Sequence, residues 1–106
     1  MLDLTLLNNK TFDIKLQDDT VLNLRKPSNQ LFNDTFRIVA LIEANNEERN
    51  LVNAIYIFLT KIMNRNTNGL RYNQNVIEEM LDIDTAMIVI QEYYKFVGEV
   101  LEEINF

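Results

Sequence analysis

Thr11-Phe-Asp-Ile-Lys-Leu-Gln-Asp-Asp-Thr-Val-Leu-Asn-Leu-Arg-Lys-Pro27 is the stretch whose reading decides the fold. Phe12, Ile14 and Leu16 alternate with Asp13, Lys15 and Gln17, and after Asp18-Asp19 the leucines at 22 and 24 alternate with Asn23 and Arg25. A period of two is that of a half-buried strand, and a polar pair between two such runs is a turn. Upstream, Leu2, Leu4 and Leu6 alternate with Asp3 and Thr5, and Asn8-Asn9-Lys10 has turn composition. Residues 1–26 therefore read as a three-stranded antiparallel meander with one apolar face. So small a sheet is not stable alone, and the rest of the chain must cover it.

Pro27 stops the last strand, and Ser28 is an N-cap for a helix from Asn29. Its apolar positions fall in two neighbouring stripes, Leu31, Thr35, Ile38, Ile42 beside Phe32, Phe36, Val39. Ala44-Asn45-Asn46 breaks it, and Asn46 is placed to cap a second helix with Leu51, Ile55, Phe58, Ile62 beside Val52, Tyr56, Leu59, Met63. Asn64 to Gly69 is polar and turn-rich. A short helix capped by Asn73 follows, burying Val76, Ile77, Met80 and Leu81, and Asp84 is expected to cap the final helix from Thr85 to about Ile104. The whole is α+β, a single domain over 1–106 with a helical part of three main helices and one short one over 28–106. Asn is frequent throughout, which fits an AT-rich genome rather than any chemistry.

The chain has no Cys and no His, so disulfides, thiol chemistry, the usual zinc sites and the commonest general base are all missing from its repertoire. Its one serine, Ser28, has no imidazole to activate it. Asp82-Ile-Asp84 resembles the start of a calcium loop, but the following residues provide neither the glycine nor the spaced oxygen ligands. A helix cap explains it better. A non-enzymatic protein without cofactor or metal is expected.

The formal charge is −6, balanced through residue 30 and negative thereafter, with no basic cluster to bind phosphate. Nucleic acid is not the expected partner. The longest apolar runs, Ala54 to Leu59 and Ala86 to Ile90, are far below the ~20 residues that cross a bilayer, and the N-terminus lacks the pattern of a signal peptide. A cytoplasmic protein without membrane contact is expected.

On the last helix, Met87, Ile90, Tyr94, Val97, Leu101 and Ile104 form one stripe and Ala86, Val89, Tyr93, Phe96 and Val100 another. Two adjacent stripes make a face wide enough for two partners. In one reading both partners belong to this chain. In the other, Tyr93, Phe96 and Val100 point inward, while Met87, Ile88, Tyr94 and Leu101 contribute to a surface shared with another copy or a client protein. Ile57 and Ile88 lie off the stripes altogether.

The layout of Thr11-Phe-Asp-Ile-Lys-Leu16 and Val21-Leu-Asn-Leu-Arg-Lys-Pro27, followed by an acidic helical region with paired apolar residues, resembles that of the small tail assembly chaperones of long-tailed bacteriophages infecting Gram-positive bacteria. The resemblance extends over nearly the whole chain. It implies a non-enzymatic, self-associating protein that coats the helical tape measure protein during virion morphogenesis in the bacterial cytoplasm and leaves before the tail is complete. A small structural or head-tail connector subunit of the virion is the alternative.

Overall fold

The computed structural model describes residues 10–44 and 49–104, with side chains described at 10–44 and 51–100. The elements run β1 (Phe12–Lys15), β2 (Val21–Leu24), α1 (Asn29–Glu43), α2 (Arg49–Met63), α3 (Gln74–Met80) and α4 (Ile83–Ile104).

β1 and β2 pair antiparallel in the register Phe12 to Leu24, Asp13 to Asn23, Ile14 to Leu22 and Lys15 to Val21. The connecting turn places Asp19 at φ 70°, a left-handed conformation that Asp tolerates better than most residues. It is closed by the Leu16 N–H on the Thr20 carbonyl at 2.8 Å and the Asp19 N–H on the Leu16 carbonyl at 3.0 Å. Leu22 and Leu24 are fully buried, and Asp13 and Asn23 face outward, joined at 2.8 Å.

The three-stranded meander expected from the sequence is corrected here, because among the described residues the sheet has two strands. Residues 2–7, whose alternation suggested the first strand, lie outside the described residues. Those residues would have joined β1; the opposite edge of the sheet, along β2, is bordered by a loop. The Arg25 N–H donates to the Arg65 carbonyl at 3.1 Å and the Thr67 N–H to the Asn23 carbonyl at 2.9 Å, with a bridge between Leu24 and Asn66. The Asn68 carboxamide completes the pairing, accepting from the Asn23 N–H at 2.9 Å and donating to the Asn23 side-chain oxygen at 3.0 Å. An open edge exposes unpaired backbone groups, and a loop rich in carboxamides meets that demand as well as a strand does.

α2 is the central helix, packed on α1, α3, α4 and β2. Ile55, Leu59, Ile62 and Met63 are almost wholly buried against Leu22, Leu24, Ile77, Ile90 and Tyr93 in one continuous core. Ser28 caps α1 by accepting from the Leu31 N–H at 3.3 Å, and Asn73 caps α3 through the Val76 N–H at 2.9 Å, both as the sequence predicts. The cap of α4 is corrected. α4 begins at Ile83, and the Asp82 carboxylate accepts from the Thr85 N–H at 2.8 Å, leaving Asp84 in the first turn. The residue that accepts from the third N–H downstream is the cap, and that spacing belongs to Asp82. The expected cap at Asn46 lies outside the described residues.

Single members of the stripes are less buried than their spacing implies. Phe36 on α1, Val52 on α2 and Val76 on α3 are exposed.

Candidate protein-interaction surface

α4 carries the residues that the sequence offered for an interface. Its buried line is Ala86, Ile90, Tyr93 and Val97, with Phe96 beside it, so the inward face takes members from both stripes. Tyr93 and Phe96 are inward as expected, Val100 is partly buried, and Ile90 and Val97 join them. The inner cluster is held by rings: Phe12 of β1 meets Tyr93 edge-on at 5.7 Å and Phe96 at 5.8 Å. The Tyr93 hydroxyl donates to the Arg25 carbonyl at 2.9 Å, and burial pushes its phenol well above the ordinary range.

Of the four residues proposed for the interface, Met87 is partly buried against the core, Tyr94 is 36% exposed and Ile88 is 58% exposed. Leu101 lies within α4, but its side chain is outside the described residues. Six residues separate Ile88 from Tyr94, which at 3.6 residues per turn sets them about 120° apart around the helix. The fold therefore does not gather them into one patch. Tyr94 faces α1, where its ring meets Phe36 edge-on at 5.5 Å, and Phe36 in turn meets Phe32 at 4.8 Å. These three rings form an aromatic ledge along the α1–α4 seam. Phe36 was read from the sequence as part of an inner stripe, and its role on the ledge was not legible there. Ile88 stands alone on the outward face, with Asp84 and Glu92 one turn to either side.

A second apolar surface lies on the other side of α1. Ile38, Leu41, Ala54, Ile57 and Phe58 line a groove of about 310 Å³ between α1 and α2, with Asp34, Arg37 and Lys61 at its rim. Leu41 and Ile57 are 38% and 39% exposed. Asp34 and Arg37 form an ion pair one turn apart on α1. The groove continues past Asp34 and Lys61 toward Ser28, Asn64 and Arg65.

Charge is segregated between these surfaces. Residues 74–104 contain eight carboxylates and one cation, Lys95, which pairs with Glu92 at 3.2 Å. Of the acidic pair Asp82 and Asp84, Asp82 caps α4, and its bond from Thr85 holds its carboxyl below the ordinary range. Among the described residues no group of three potential ligands is placed to hold a metal ion, and no helix is long and apolar enough to cross a membrane. What these surfaces offer chemically is apolar contact bordered by charge, which is the chemistry of protein recognition.

No family model, no curated protein and no solved structure matches this chain.

Proposed function

We propose that this protein is a non-enzymatic tail assembly chaperone of a long-tailed bacteriophage, which self-associates and binds the tape measure protein in the host cytoplasm during tail morphogenesis. The observation that carries the reading is the aromatic ledge beside the acidic α4, with Phe36 and Tyr94 exposed and Phe32 partly buried behind them. An amphipathic helix of a client lays its apolar side against such a ledge, and carboxylates along α4 favour a client with basic flanks. The resemblance in layout to the small tail chaperones supports the same role.

The test is co-expression with the product of the tape measure gene of the phage that encodes this chain. The tape measure protein should become soluble and copurify with the wild-type chain, and Tyr94→Asp should abolish that rescue while remaining folded. The chain should also be absent from purified virions. Its presence there in fixed copy number would instead make it a structural or connector subunit.

A further inference from the structure

We propose that the outward face of α4 in one copy docks into the α1–α2 groove of a second copy, head to tail, with Ile88 as the apolar knob. Ile88 is the most exposed large apolar side chain among the described residues, at 58%. It stands between two exposed carboxylates, Asp84 and Glu92, each about 6 Å along the helix axis. The groove presents the complementary arrangement: an apolar floor with Leu41 and Ile57 half open, and a rim of Asp34, Arg37 and Lys61 with one net positive charge. Its volume of about 310 Å³ is ample for an isoleucine side chain.

Charge selects this pairing over the alternatives. Two α4 faces brought together would oppose carboxylate to carboxylate, which disfavours a symmetric α4–α4 dimer. A groove whose rim of Asp34, Arg37 and Lys61 is net positive accepts the acidic face better than it accepts another groove. Lys95, the partner of Glu92, is exposed and exchanges at little cost, while Arg37 stays paired with Asp34, whose side chain is 15% exposed, so Lys61 is the cation that meets the incoming carboxylates. Because the contact joins two different surfaces, each added copy leaves one groove and one α4 face free, so assembly proceeds to rings or filaments. The pairing names surfaces for the self-association proposed above, yet it rests on this chain's own charges and needs no client.

Sedimentation of the purified full chain without client tests it, with circular dichroism to confirm folding of each variant. The wild-type chain should associate in a concentration-dependent series that weakens with added salt. Ile88→Glu and Ile57→Glu, each at an exposed position, should each lose affinity by about thirtyfold. An equimolar mixture of the two variants should form a 1:1 dimer and stop there, because one intact α4 face meets one intact groove. If either glutamate unfolds the chain, Lys61→Glu and Glu92→Lys take their places, and their mixture should regain association without stopping at the dimer, because the two reversed surfaces also match each other. A wild-type chain monomeric at every concentration, single variants that associate as wild type, or a mixture that stays monomeric each overturns the proposal. Failure of tape measure rescue alongside recovery on mixing would remove the chaperone reading and leave this pairing intact.

Discussion

The phenol of Tyr93 donates a 2.9 Å hydrogen bond to the carbonyl oxygen of Arg25, tying the middle of α4 to the end of β2 across 68 residues of sequence. Arg25 is the last alternating residue before Pro27, so its carbonyl leaves the strand ladder just where the chain turns into α1. Tyr93→Phe keeps the ring and its edge-on contact with Phe12 but removes the donor. It should lower stability by about 1 kcal/mol, measured by urea denaturation at neutral pH. Since burial raises the phenol's pKa in the folded state, its contribution is full below pH 10.0 and fades as pH rises above it. The gap between the wild-type chain and Tyr93→Phe should therefore narrow in alkali.

Asn66 is 4% exposed and makes four bonds with its carboxamide: it donates to the carbonyls of Met63 and Leu70 and accepts from the N–H groups of Asn68 and Leu70. Asn66→Ala strands several backbone groups at once and should cost about 3 kcal/mol. Asn66→Asp should be no better, because a carboxylate has no N–H to donate. Chemical denaturation checks the first. Faster hydrogen exchange at Arg25 and Thr67 would show that the edge of β2 has been released.

Asp82 sets the start of α4, and its carboxyl is held below the ordinary value of 3.8 by the bonds from Thr85. A depressed folded-state pKa means that the stabilisation is complete above the unfolded value and is lost as pH falls through the folded one. Asp82→Asn retains a capping oxygen without titrating. The wild-type chain should be the more stable at pH 6, and the difference should shrink toward zero as thermal melts are taken below pH 3.8.

Phe96 and Tyr94 are two positions apart and should respond oppositely to charge. Phe96→Asp places an unpaired carboxylate among Phe12 and Tyr93 and should unfold the chain, since the cost of several kcal/mol is comparable with the stability of a small domain. Tyr94→Asp should leave the helical circular dichroism signal intact, because that ring is partly in solvent and loses only its contact with Phe36. Equal unfolding by both would make the ledge ordinary core.

Thr35 is fully buried with its hydroxyl on the Leu31 carbonyl at 2.8 Å. Thr35→Val removes the hydroxyl while keeping the shape, and the carbonyl retains its helical partner. The melting temperature should change little, and a large loss would show that the hydroxyl does more than satisfy itself.

Much of the hairpin and of the helical pattern is legible locally. The alternation of Phe12, Ile14, Leu22 and Leu24 around Asp18-Asp19 is a property of neighbouring residues, and so are the caps at Ser28 and Asn73. The error at Asp84 arose because Asp82 and Asp84 both have capping chemistry and the sequence does not say which one faces the free N–H groups. The Asn64–Gly69 loop was legible as a loop but not as the edge partner of β2. Its asparagines, assigned to base composition, turn out to bond the backbone at nearly every opportunity: Asn64 alone pairs both the N–H and the carbonyl of Tyr72.

The sequence by itself determined the α+β class, the extents of the main helices, the positions of two caps and the absence of thiol and imidazole chemistry, because each of these depends on residue identity and spacing within a few positions. Only the tertiary structure decided which members of the doubled stripes are core. Tyr93 and Tyr94 are adjacent and chemically identical, and the 100° between them around α4 puts one against Phe12 and Arg25 and the other on Phe36. Helical periodicity marks an apolar face without saying how far the neighbouring elements reach across it. The apolar residues that the neighbouring helices leave uncovered, Phe36, Ile57, Ile88 and Tyr94 among them, are the ones available to a partner.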